Sequence, residues 1–161
     1  MIPLNIIQSS NLILKEKNKL QLYTKNNFYE FDIYSLTNSD MGYLYEKYVG
    51  LFYENMGYKV IYRGLINRVL DKGIDLIISN SDERLFLQCK LGKLSTQKVE
   101  KIKYYSSRFL IEEYDKTNAH LDKKKIGEKP KKINFSIVIP NKRKCLGRPE
   151  NCWFFQEKRN L

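Results

Sequence analysis

Between Ile74 and Leu91 the chain reads IDLIISNSDERLFLQCKL, two β-patterned runs joined by a short polar break. The runs Ile74–Ser79 and Arg84–Leu91 are rich in Ile, Leu and Phe, and Asn80 and Asp82 are strong turn formers, so the segment is expected to fold back as a hairpin. A hairpin is a tight geometric constraint, because successive side chains of a strand point to opposite faces. Leu87, Cys89 and Leu91 then share one face and turn to the core, while Gln88 and Lys90 share the other. The turn at Asn80–Glu83 carries Asp75, at the start of the first run, beside Gln88–Lys90 at the end of the second. Three polar residues therefore meet where a plain hairpin would place apolar or neutral ones.

The flanking segments complete an α/β pattern. Residues 11–36 alternate apolar and polar in three short runs with breaks near Lys17–Lys19 and Lys25–Asn27, which predicts an antiparallel meander. Ser39 or Asp40 in TNSD can cap a helix that runs to about Met56 and closes at Gly57, with Tyr45, Val49, Phe52 and Met56 as an apolar stripe, Leu44, Tyr48 and Leu51 on a second side, and Glu46 at the stripe's edge. Tyr58–Gly64 reads as a strand and the following LINRVLDKG as a turn-rich segment. Ser95 can cap a second helix from Thr96 to about Tyr114, with Val99, Ile102 and Phe109 inward and Lys98, Lys101, Tyr105 and Arg108 outward. Residues 115–132 read as a basic loop, and the continuous apolar run Ile133–Pro140 as a buried central strand. Trp153, Phe154 and Phe155 are placed to anchor the tail to the core. From residue 40 onward the order is helix, strand, hairpin, helix, strand, which implies a mixed sheet with helices packed on it.

Composition narrows the partners. The 161 residues suffice for one real core, and 42% hydrophobic with 29% charged residues excludes bulk disorder. The formal net charge of +11 is unevenly placed: residues 1–92 carry 11 basic and 10 acidic side chains, residues 93–161 carry 18 and 8. That asymmetry points to an anionic partner, nucleic acid before a membrane surface, against the bland reading of a lysine-rich solvated surface. Cys89, Cys145 and Cys152 are odd in number and widely spaced, so neither a disulfide framework nor a zinc knuckle is expected, and His120 is not placed to complete one. A reducing, intracellular setting follows, cytoplasmic or nucleoid/nuclear, with organellar import still open. No apolar run approaches the ~20 residues of a membrane span, and MIPLNIIQSSNLIL has no basic region ahead of its apolar residues.

Asp75, Gln88, the Cys89 backbone carbonyl and Glu46 are hard oxygen donors, the kind that suit Mg²⁺ or Mn²⁺. A lysine beside them, Lys90, can position or deprotonate a water or stabilise charge developing on a phosphate. Together these residue types suit phosphodiester hydrolysis. GID followed after twelve residues by QCK resembles the D…(D/E/Q)xK core of the PD-(D/E)xK nucleases, and more narrowly the Mrr-type restriction endonuclease domain, in which glutamine commonly replaces the middle acid. YEKYVGLFYENMGYKV is similar to that family's leading helix, with Glu46 eleven residues before Gly57 of its Gly-Tyr-x-Val strand entry. Archaeal Holliday-junction resolvases share the layout.

The resemblance covers roughly residues 40–140 and implies a restriction-endonuclease-like mixed sheet flanked by helices, behind an N-terminal β-meander. The expected units are residues 1–38, the meander packed on the core, and 39–161, the nuclease domain with its aromatic tail. By that resemblance Asp75 is a metal ligand, Gln88 holds the middle position, Glu46 assists metal or water, and Lys90 is the catalytic lysine. Two departures stand out: Gln88 is uncharged, and NRVLDK precedes Gly73 where a short glycine-rich turn is usual. Taken singly, Asp75 is a strand-end turn residue and Lys90 an edge lysine that discourages aggregation; the site reading rests on all four residues together. Cys89 points away from Gln88 and Lys90 and reads as a core residue rather than a nucleophile. Lys93, Lys98, Lys101 and Arg108, with the clusters Lys123–Lys125 and Lys142–Lys144, are expected phosphate contacts. The expectation is an Mg²⁺- or Mn²⁺-dependent DNA endonuclease. The rivals are a nuclease-fold protein that only binds DNA, a dimeric junction resolvase and a ribonucleoprotein scaffold.

Overall fold

The structure, a computed structural model, describes residues 1–67, 73–92, 95–121, 132–138 and 156–157. The alternating N-terminal runs form three antiparallel strands, β1 (Leu12–Glu16), β2 (Lys19–Tyr23) and β3 (Phe28–Asp32), with turns at the expected breaks. A short strand β8 (Gln156–Glu157) adds parallel to β1, giving the order β3-β2-β1-β8. Ahead of the meander lies an unanticipated helix, α1 (Leu4–Ser9), too short for a helical period to declare itself. Its Ile7 is fully buried.

Helix α2 spans Asn38–Asn55. Its cap is Thr37, not Ser39 or Asp40: the Thr37 hydroxyl accepts from Asp40 N and the Asp40 carboxylate accepts from Thr37 N, a capping box at T-x-x-D. Met41, Leu44, Tyr45, Val49 and Leu51 are buried, whereas Phe52 and Met56 of the expected stripe are more than half exposed, because the packing face ends with Leu51.

The second sheet has the order β4-β5-β6-β7. Strand β4 (Lys59–Tyr62) runs directly into a single helical turn, α3 (Arg63–Asn67), which takes Arg63 and Gly64 from the end of the expected strand and Leu65–Asn67 from the segment expected to be only turns. Strands β5 (Leu76–Ser79) and β6 (Glu83–Cys89) form the hairpin, in the register Leu76↔Leu87 and Ser79↔Arg84. Helix α4 (Thr96–Leu121) continues a further two turns past the expected end, into the segment read as loop. Strand β7 (Lys132–Val138) lies parallel to β6 as an outer strand of the described sheet, not a central one, and Ile133 is exposed. A continuous apolar run does not by itself specify a central position.

The two faces of this sheet are buried against different elements. Leu76, Ile78, Leu87 and Cys89 join α2, Ile7 and the meander residues Ile13, Leu20 and Leu22 in the larger core. Ile74, Ile77 and Phe86 form a smaller cluster with Phe109 of α4, whose ring meets Phe86 at 5.8 Å. The fold is thus a mixed α/β, restriction-endonuclease-like sheet flanked by helices, with an N-terminal meander whose core is continuous with it. The aromatic tail, Cys145, Cys152 and the lysine clusters at 123–125 and 142–144 lie outside the described residues.

Candidate active site

The hairpin register places Asp75 across from Gln88 at the open end of β5 and β6. Asp75 N donates to Leu87 O at 2.8 Å, which continues the ladder one residue beyond β5. Both residues are buried, Asp75 2% exposed and Gln88 1%. One carboxylate oxygen, Asp75 Oδ2, accepts from Gln88 Nε2 at 2.5 Å and from Cys89 N at 2.6 Å. The other, Oδ1, faces Gly64 of α3. The Asp75 carbonyl in turn receives Arg63 N at 2.7 Å and Gly64 N at 3.0 Å, so the start of α3 is tied to the carboxylate's own backbone.

Gly64 is where α2 meets the hairpin. A Cβ there would overlap Glu46 Oε2 and stand 3.1 Å from Asp75 Oδ1. The two carboxylates therefore converge on one spot that only a glycine leaves open. Two hard oxygens facing a cradle of this kind fit a small divalent cation. The expected cluster of Asp75, Gln88 and Glu46 is brought together, with Lys90 following β6, half-buried, its N–H donated to Val138 O at 3.0 Å. Gln88 turns its amide nitrogen to Asp75 and its oxygen toward Gly73, where a Cβ would meet Oε1 at 3.1 Å. The Cys89 side chain lies in the larger core, as expected, and is a free thiol. Burial pushes that thiol well up from its ordinary value; the Asp75 and Glu46 carboxylates add to the shift and Lys90 opposes it.

Supporting contacts reach the cradle from the N-terminal helix. Gln8 Nε2 donates to Leu65 O at 2.8 Å, and Lys47 Nζ, next to Glu46, donates to Gln8 O at 2.9 Å while lying 4.2 Å from the Tyr62 ring centroid. Burial lowers the Lys47 amine from its ordinary value, with Glu54 opposing. On the other side, the Arg63 guanidinium stacks on Phe109 at 4.2 Å.

Helix α4 behaves as expected on its outer face, where Lys98, Lys101, Tyr105 and Arg108 are exposed, and Phe109 is buried. Lys93 lies outside the described residues. Gly64, Gly73 and Ser106 were not anticipated as part of the site. Ser106 carried a signal: it interrupts the inward stripe of α4 between Ile102 and Phe109 with a hydroxyl.

Residues 40–114 match the family model of the Mrr catalytic domain, described as a restriction endonuclease. Over that stretch the chain is similar to restriction-endonuclease domains of the Mrr type. The stretch contains Glu46, Gly64, Asp75, Gln88, Lys90 and Ser106, and it excludes α1 and the meander. No curated protein and no solved structure gives a match. Among the described residues no helix is long and apolar enough to cross a membrane.

Proposed function

We propose that the chain is a metal-dependent endonuclease that hydrolyses DNA phosphodiester bonds at the Mrr-type site. The observation that carries this reading is the approach of Glu46 and Asp75 to one cradle over Gly64, with the second Asp75 oxygen held by Gln88 and Cys89. Asp75, Glu46 and the Cys89 carbonyl would hold Mg²⁺ or Mn²⁺ there, which lowers the pKa of a bound water and polarises the phosphate. Gln88 aims Asp75 and supplies a further polar group at the middle position. Water attacks phosphorus and the sugar oxygen leaves, while the Lys90 cation stabilises the extra negative charge of the five-coordinate phosphorus. Lys93, Lys98, Lys101 and Arg108 contact phosphates outside the reacting centre and set affinity without reading sequence. In this reading residues 1–38 form the meander unit, 39–161 the nuclease unit, and the setting is intracellular.

Purified protein should nick or linearise supercoiled plasmid with Mg²⁺ or Mn²⁺ and not with EDTA. Asp75→Asn and Lys90→Ala should each slow cleavage by at least about 100-fold. Variants that cut as fast as wild type would overturn the assignment.

One observation favours a second reading, a nuclease fold that only binds DNA: the middle position holds the neutral Gln88, leaving two carboxylates at the cradle. Salt-sensitive DNA binding without cleavage in any divalent metal would decide for it. A junction resolvase predicts a homodimer and preference for four-way junctions over linear duplex in a mobility-shift competition. RNA outcompeting DNA in the same assay would favour a ribonucleoprotein role.

A further inference from the structure

Gly73, Gln88 and Ser106 meet on the side of the site away from Asp75. Gly73 has φ +77°, and a Cβ on it would stand 3.1 Å from Gln88 Oε1 and 3.7 Å from Ser106 Oγ. Gln88 and Ser106 are each 1% exposed, and Ser106 Oγ has no hydrogen-bond partner among the described residues. Leaving a buried hydroxyl unsatisfied is costly, so a serine at an inward position of α4 calls for a polar neighbour. The Gln88 amide faces it across Gly73. Among the described residues one end of that amide is committed, Nε2 to Asp75 Oδ2.

An amide has to be oriented in a way that a carboxylate does not. Turned by 180°, Gln88 would set Oε1 against Asp75 Oδ2 and lose that bond. We infer that Ser106 is a positioning residue for Gln88: turned toward Gly73, its hydroxyl donates to Oε1 at the outer end of the amide and so restrains the side chain with Nε2 on the Asp75 carboxylate. The consequence for catalysis rests on the nuclease reading; the inferred Ser106–Gln88 hydrogen bond does not.

The test uses the full chain and the variants Ser106→Ala, Ser106→Thr and Gln88→Glu. In ¹⁵N-labelled, metal-free protein the Gln88 side-chain NH₂ signals, assigned by their loss in Gln88→Glu, should shift and exchange faster in Ser106→Ala. They should return toward their wild-type positions in Ser106→Thr. Signals that do not move in Ser106→Ala overturn the inference. Calorimetric titration with Mn²⁺ supplies the second readout. Ser106→Ala should weaken Mn²⁺ binding about 10-fold with Gln88 present and leave it unchanged in the Gln88→Glu background, where no amide needs orienting. Equal losses in both backgrounds mark a merely structural serine and overturn the inference. If wild type neither binds Mn²⁺ nor cuts plasmid, the nuclease reading fails, and the NMR comparison alone decides the role of Ser106.

Discussion

Gly64 sits where two elements deliver their carboxylates, and its missing side chain is what the site requires. Gly64→Ala would put a methyl against Glu46 Oε2 and 3.1 Å from Asp75 Oδ1. Overpacking of this kind costs about 1–3 kcal/mol of stability. Displacing one carboxylate by an ångström should also slow plasmid cleavage by about 100-fold. DNA retention in a mobility shift should remain, because the exposed lysines of α4 are untouched. Cleavage within a few-fold of wild type would show that the carboxylates act independently of this cradle. Asp75 and Gln88 were legible in the sequence because a hairpin's two-residue period fixes which side chains meet across it. Gly64 and Ser106 were not, since their roles arise from α3 and α4 folding onto the hairpin, and no local period encodes that approach.

The turn-bounded elements were the easiest to read. Both meander breaks and the hairpin turn fell where Lys, Asn and Asp cluster, and the start of α4 followed Ser95. The end of α4 was missed because residues 115–118 are all polar and offer no apolar stripe to declare the helix. At α2, the choice of cap turned on a reciprocal contact, Thr37 with Asp40, that capping preferences alone do not reveal. Asp40 does more than cap. It is 1% exposed, and it accepts from Thr37 N at 2.9 Å, the Thr37 hydroxyl at 2.7 Å and Ile2 N at 2.8 Å. Burial alone would raise its pKa, but the bonds from Thr37 and Ile2, with the N-terminal amine, outweigh it and hold the carboxyl below the ordinary value of 3.8. A carboxyl with a depressed folded pKa adds stability above its unfolded pKa, and that stability is lost as pH falls through the folded one. Asp40→Ala should therefore cost about 2 kcal/mol near neutrality in urea titrations. Its deficit relative to wild type should shrink below about pH 3.8. A deficit independent of pH would mean that packing, not the charge, is what Asp40 contributes.

At the scale of the whole molecule, charge and core are divided along the chain. Among the described residues the buried members of the larger core run from Ile2 to Cys89, with Leu91 and Val138 packed against them, whereas the excess of positive charge falls in residues 93–161. Lys98, Lys101 and Arg108 are exposed on α4, which also packs Phe109 beneath the site. If these three neutralise duplex phosphates, replacing all of them with Ala should lower the slope of log affinity against log salt by about 0.9 for each phosphate no longer neutralised. Thermal stability should hardly change. An unaltered slope would move the nucleic-acid surface off α4.

The continuous core also bears on how the chain is made. Among the described residues, every member of its buried cluster lies at or before Cys89, and the smaller cluster adds Phe109. During synthesis the residues up to Cys89 leave the ribosome first, so the two carboxylates can approach while the strongly basic residues 93–161 are still being translated. That segment then emerges beside those elements and completes them, with Phe109 of α4 closing the smaller cluster and β7 and β8 adding to β6 and β1.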